Sequence, residues 1–350
     1  MNTRRLLTSS ALLGALAVSI AAAMPSASEL QKQAAGIFKP LPKEMTSPDN
    51  PLTPEKIALG RMLYYDTRFS VSQTISCNTC HQLAKAGVDN EPTSEGHAGK
   101  RGDRNSPTTY NAALHIAQFW DGRAPTVEEQ AKGPVLNPVE MGMPNADYVI
   151  EVLKSIPGYV PLFAAAFPGE ADPISYDNFA KAIGAFERKL VTPSPFDEFL
   201  EGNTKALDAK QLAGLDTFLS VGCITCHNSV GVGGGLYQKI GLVHEYKTED
   251  VGRAKLTNNE ADKFFFKVPS LRNVVLTGPY FHQGQVATVQ EAVKLMGWHQ
   301  LGRELTPDQV TSIVTFLGSL TGKPDAAYIA KPALPPSGPK TPKPPSAKAG

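Results

Sequence analysis

Net charge, cysteine and long apolar runs are all in short supply in this 350-residue chain, and each shortage excludes something. Basic and acidic residues nearly cancel, 34 against 33, and no basic stripe with interleaved aromatics occurs. A nucleic-acid-binding surface is therefore not expected. The one apolar run, ALLGALAVSIAAA at 11–23, falls short of the roughly 20 residues that cross a bilayer. No stretch alternates apolar and polar residues in a way that reads as strand, which argues against a sheet protein. Tryptophan occurs only twice, at 120 and 298, and cysteine only four times.

The short apolar run follows Arg4 and Arg5 and leads into small residues up to about Ser28. That order reads as an export leader over residues 1–24. At the other end, KPALPPSGPKTPKPPSAKAG (331–350) is Pro- and Lys-rich and reads as a disordered, polyproline-like tail. These two ends carry Arg4, Arg5, Lys331, Lys340, Lys343 and Lys348 and no acid, so 28 basic and 33 acidic residues lie between them, a net of −5. The body is mildly acidic and long enough for two domains with cores of their own.

An exported chain would ordinarily use its cysteines for disulfides. Here none is left over. Cys77, Cys80 and His81 form one C-x-x-C-H motif, and Cys223, Cys226 and His227 form another. Zinc ribbons set their two C-x-x-C knuckles roughly 15–20 residues apart, whereas these lie 146 apart. A thiol redox pair does not need the following histidine. The pattern is that of covalent c-type haem attachment, with the adjacent imidazole reaching the iron.

The rest reads as helices joined by long irregular connections. LTPEKIALGRMLYYD has Thr53 as N-cap and Pro54 at the first helical position. LDAKQLAGLDTFLSVG sets Leu212, Leu215, Phe218 and Leu219 on one face. DYVIEVLKSI, YDNFAKAIGAFERKL and TPDQVTSIVTFLGSL are further candidates. Residues 106–130 also align without a gap on 268–292, with identities at Pro107/Pro269, Asn111/Asn273, Leu114/Leu276, Phe119/Phe281, Gly122/Gly284, Thr126/Thr288, Val127/Val289 and Glu129/Glu291. We therefore expect an all-α protein of two cytochrome c-like haem domains, 45–190 and 191–325, from an internal duplication. The copies also differ. Trp120 aligns with His282, and beyond the repeat Glu140 follows in one half and Met296 in the other. A thioether closes the iron's sixth position and suits electron transfer. A carboxylate beside an open position can move protons.

The segments CNTCHQL, EGHAGKRGDRNSPTTYNAA, QFWDGRA, NPVEM, VPSLRN, PYFHQG and LMG, in this order, resemble the bacterial di-haem cytochrome c peroxidases over roughly residues 40–325. The resemblance implies a periplasmic homodimer that reduces hydrogen peroxide with electrons from a small cytochrome c or a cupredoxin. It implies two covalent c-type haems and a calcium ion. The haem on Cys77, Cys80 and His81, with His97 as distal ligand, would be peroxidatic. The haem on Cys223, Cys226 and His227, with Met296 as second ligand, would receive electrons. Glu140 would be the distal acid/base, Trp120 would lie between the haems, and Asn105, Thr277 and Pro279 would hold calcium. The glycine-rich surroundings of His97 suit a ligand that must leave before peroxide enters.

From the residues alone, Met62, Met141 and Met143 compete with Met296, and His115, His244, His282 and His299 have no assigned role. Two other functions stay open. One is a di-haem oxidase that modifies residues of a partner protein, in which the resemblance places tyrosine at the position of Met296. The other is a non-enzymatic di-haem electron carrier.

Overall fold

The structure, a computed structural model, describes residues 24–344. The expected leader falls almost wholly outside the described residues, as does the end of the tail. All five expected helices are present: Pro54–Tyr65, Ala146–Ser155, Tyr176–Glu187, Ala209–Val221 and Pro307–Gly318. Thr53 caps the first by accepting from the Lys56 amide, with Pro54 at N1. The fold is mostly helical, with one departure from the expectation of no strands. Tyr237–Lys239 and Phe265–Lys267 pair antiparallel, three residues each. Strands this short give no alternation to read in sequence. No single helix among the described residues is long and apolar enough to cross a membrane.

Two apolar cores form. In the first, Leu59, Leu63 and Tyr64 of helix Pro54–Tyr65 meet Phe179, Ile183 and Phe186 of helix Tyr176–Glu187. In the second, Leu215, Phe218 and Leu219 of helix Ala209–Val221 meet Ile313, Phe316 and Leu317 of helix Pro307–Gly318. Each fully buried Leu or Phe contributes about 1.5–3 kcal/mol. Both pairs cross at a glycine. A Cβ on Gly60 would fall 1.8 Å from the Ala182 carbonyl oxygen, and one on Gly214 would fall 2.1 Å from that of Ser312.

The same local geometry recurs at the spacing of 162 seen in the sequence. Asn111 and Asn273 are left-handed at φ 59° and 60°, and Phe119 and Phe281 at 65° and 66°. Isolated bridges join Gln118 to Ala124 and Tyr280 to Val286. Thr126 and Thr288 each cap the following helix, Val127–Leu136 and Val289–Leu301. The two strips also share a bonding partner. The amides of Asn111 and Asn273 both donate to Thr192 Oγ1, each at 2.8 Å.

The chain ends cross over. Helix Ala27–Ile37, unassigned in the sequence reading, buries Leu30 and Ala34 in the second core. The expected disordered tail is a correction for residues 331–344, which lie along the first half. Tyr328 stacks on Phe186 at 5.0 Å. Arg61 Nε donates to the Ala330 carbonyl at 2.9 Å, Gln73 to that of Pro342 at 2.8 Å, and Thr341 to that of Ser155 at 3.0 Å. A polyproline-like strand cannot satisfy its own carbonyls, so a surface offering donors holds it.

Gly60→Ala is expected to cost about 1–3 kcal/mol of unfolding free energy, read from the denaturant midpoint at unchanged m-value. An unmoved midpoint would contradict the close helix crossing.

Candidate haem cavities and active site

Each C-x-x-C-H motif folds as one tight turn. The His81 amide donates to the Cys77 carbonyl and the His227 amide to that of Cys223, both at 3.0 Å. One turn of helical geometry sets both cysteines and the histidine toward the same side. Around the first motif, Tyr64 donates to the His81 carbonyl at 2.8 Å and Tyr110 to that of Leu83 at 2.7 Å. In the second half, Gly222 at φ 105° ends helix Ala209–Val221 and turns the chain directly into the motif.

The first cavity, about 160 Å³, is lined by Cys77, Cys80, His81, Arg123 and Glu140. The second, about 230 Å³, is lined by Cys223, Cys226, His227, Trp120 and Met296. Residues 105–108 and Phe119 wall both. The donor sets fit c-type haem. Two cysteines and an imidazole line one largely apolar space in each half, and Nδ1 of neither ring has a hydrogen-bond partner among the described residues. Burial pushes the His81 imidazole below its ordinary value, against Asp89 and the carbonyls of Pro107 and Gly87. Burial likewise pushes His227 down to about 4, against the carbonyls of Val232 and Pro269. The two prolines are partners in the 162-residue repeat. Both imidazoles are thus kept neutral, the form that binds iron.

Glu140 is reached by a turn in which Asn137 accepts from the Val139 amide at 2.9 Å and donates to Glu140 Oε1 at 2.7 Å. Burial holds the Glu140 carboxyl above the usual range, while Arg123 and Asn137 pull it back. A carboxyl raised in this way keeps its proton to higher pH than an exposed one. The His97 amide donates to the Glu140 carbonyl at 2.7 Å. Gly96 makes that approach possible, since a Cβ there would fall 2.0 Å from the Val139 carbonyl oxygen. The His97 ring, however, packs over Gly142 and lines neither cavity, and its buried Nδ1 has no partner among the described residues. Residues 98–103 of its loop are exposed or nearly so.

Trp120 donates from Nε1 to the Asn105 carbonyl at 2.9 Å and meets His282 edge-on at 6.4 Å. It is therefore fixed on the shared wall. Of the competing methionines, only Met296 lines the second cavity. Met141 lines the first, and Met141 and Met143 are buried in the first core. Asn105, Thr277 and Pro279 all line the second cavity. His282 stacks on Phe266 at 4.2 Å and reaches Thr248 at 3.1 Å, and burial pushes it down to about 4. It serves as wall.

Three cavity residues were missed in the sequence. Glu187, at the end of helix Tyr176–Glu187, lines the first cavity, and burial with Glu128 nearby pushes it up to about 8. Arg123 stacks on Phe119 at 3.4 Å. Arg104 clasps the halves, bonding Asp121 at 2.6 Å and Asp250 through two bonds at 2.7 and 2.8 Å. Arg123 and Arg104 stand inside quoted motifs, so their neighbourhood was legible. Glu187 reads in sequence as an ordinary helix-end acid.

A fold of two walled cavities, each with a c-type attachment motif, defines a two-haem c-type protein. A family model for di-haem cytochrome c peroxidase matches residues 54–205. The chain is 47% identical to cytochrome c551 peroxidase of Pseudomonas aeruginosa over 95% of this chain and 97% of that one. It is 45% identical to cytochrome c551 peroxidase of Nitrosomonas europaea, over 86% and 90%. It is 36% identical to the methylamine utilization protein MauG of Methylorubrum extorquens, over 82% and 83%. A crystal structure of a MauG-like protein associated with microbial copper homeostasis superposes with TM-score 0.74 at 29% identity, covering 84% of this chain and 96% of that one. The chain belongs to the di-haem cytochrome c peroxidase family.

Arg104→Ala would leave Asp121 with Arg123 alone and Asp250 without a salt bridge among the described residues, in a poorly solvated boundary. A loss of roughly 3–5 kcal/mol is expected, measured by denaturant unfolding. A loss below about 1 kcal/mol would place the clasp among ordinary surface pairs.

Proposed function

We propose that this enzyme is a periplasmic cytochrome c peroxidase that reduces hydrogen peroxide to two waters, using two electrons and two protons. The observation that carries the reading is the division of labour between the cavities. A carboxyl held above its usual range lines the one with His81, a thioether lines the one with His227, and a single wall separates them. The covalent haems, one per motif, would supply the iron that splits the O–O bond and the redox store that feeds it. The repeated geometry at a spacing of 162 supports two cytochrome c-like domains from an internal duplication.

The chain's own residues would divide the remaining work. Glu140 takes a proton from the substrate peroxide and returns it to the departing oxygen. Asn137 holds that carboxyl in place, and Arg123 stabilises its charged form. Trp120 bridges the cavities along the shared wall. His81 would hold the iron of the first haem, joined by His97 once its ring turns in from over Gly142, and His227 and Met296 would hold that of the second. The loop of His97 has little packing to lose, so the ligand can leave at low cost. A calcium ion would take Asn105 together with the carbonyls of Thr277 and Pro279. The Asn105 amide donates to the Glu91 and Pro92 carbonyls, which leaves its oxygen as the available ligand atom. A homodimer and a small cytochrome c or cupredoxin donor complete the proposal. Modification of a partner protein is the second reading, and the thioether in the second cavity speaks against it.

The deciding assay is peroxide-dependent oxidation of a reduced small cytochrome c, with calcium present, on the as-isolated protein and on protein pre-reduced by one electron. Turnover only after pre-reduction supports the peroxidase together with departure of His97. Turnover in both states keeps the peroxidase and removes that step. No turnover in either state, with both haems bound, would overturn the reading.

Glu140→Gln is expected to retain both haem absorption bands and lose about 10²- to 10⁴-fold in turnover. Near-normal turnover would remove Glu140 from the reaction.

A further inference from the structure

The second cavity holds two donors that the proposed reaction does not use. Lys267 ends strand Phe265–Lys267 and is 5% exposed. Its side chain makes one hydrogen bond among the described residues, to His115 Nδ1 at 3.0 Å. An ammonium only donates, so Nδ1 is the accepting nitrogen and the ring proton is on Nε2. That Nε2 is buried and has no partner among the described residues. Burial pushes Lys267 down to about 8, with no carboxylate acting to restore it. Burial, and then the Lys267 charge, push His115 well below its ordinary value.

Both residues are fixed by backbone bonds beside them. The Lys267 amide donates to the Trp120 carbonyl at 2.7 Å, and the Ile116 amide donates to that of Gly234 at 2.9 Å. Both line the cavity that also holds Cys223, Cys226, His227 and Met296. A buried cation with one neutral acceptor and a buried N–H with none, lining one space, are destabilising unless a further acceptor arrives. The acceptor has to be anionic to match the ammonium, and small enough to sit at the edge of an otherwise apolar space. The porphyrin of a c-type haem brings such a group, because its propionates are carboxylates.

We propose that Lys267 and His115 form the seat of a carboxylate, and that in the loaded enzyme this is a propionate of the haem on Cys223 and Cys226. The proposal rests on the reading of the second motif as a haem site. It gives the second haem a contact to each half, His115 from the first and Lys267 from the second, beside the carbonyl of Trp120.

A crystal structure of the full, haem-loaded protein tests it directly. The expected result is a propionate oxygen within hydrogen-bond distance of Lys267 Nζ. Nζ bound to a free anion or a water, with both propionates elsewhere, would overturn it. Potentiometry gives the second test. Lys267→Met should lower the midpoint of the second haem, because a nearby positive charge favours the reduced iron, while Lys267→Arg should hold it near that of the parent. An unmoved midpoint in Lys267→Met overturns the seat. If Lys267→Met does not fold, the crystal structure decides alone. A protein mass showing a single haem would overturn the second-haem reading, and the seat with it. Two haems with an unmoved midpoint would overturn the seat only.

Discussion

Residues 105–108 and Phe119 face two cavities at once, and the arrangement of the molecule follows from that shared wall. A segment bounded by large spaces on both sides cannot be held by packing from either. It is held instead by directional bonds. The Asn105 amide donates to the His282 carbonyl at 2.9 Å, the Asn105 carbonyl accepts from Trp120, and Thr108 donates to the Ala86 carbonyl at 2.6 Å. Arg104, next in the chain, binds Asp250 in the other half. Hydrogen bonds fix position where dispersion contacts are missing. Any group that passes electrons between the cavities has to cross this wall, and Trp120 is bonded to it.

Two buried salt bridges stand out among the described residues. Glu128 takes both prongs of Arg188 at 2.7 and 2.9 Å, and Asp197 takes Arg272 at 2.8 Å with the Arg272 side chain fully buried. These pairs anchor the structure and point away from the cavities. Among the described residues, Glu140, lifted by burial, Glu187, lifted to about 8, and Lys267, bonded only to His115, line the cavities without a salt bridge. Incomplete pairing beside a cavity is where function concentrates, because the missing partner is supplied by what binds there.

The crossed ends tie each half to the other's terminus. Helix Ala27–Ile37 belongs to the second core, and Tyr328 and Ile329 pack on the first. A composition rich in proline and lysine reads as solvated chain because it has no apolar stripe. Its order here depends on Arg61, Gln73 and Ser155, donors and acceptors about 190 to 270 residues away in sequence.

How much was legible follows the range of the interaction that decides each feature. The five helices were readable because caps and periodicity act within a few residues, and the cysteines were readable because two thioether bonds and an axial imidazole need neighbours at fixed short spacing. The motifs also pointed to Glu140, Trp120 and Met296. The structure alone decided that Met296 and not Met141 faces His227, that His97 packs over Gly142 outside both cavities, and that the tail lies on the first half. It alone brought Lys267 to His115 and Glu187 to the haem wall. Each of those is a contact between distant segments, and its free energy depends on burial and on which polar partners burial removes. A sequence specifies local geometry through covalent and near-neighbour forces, whereas desolvation exists only once the chain has closed around the group.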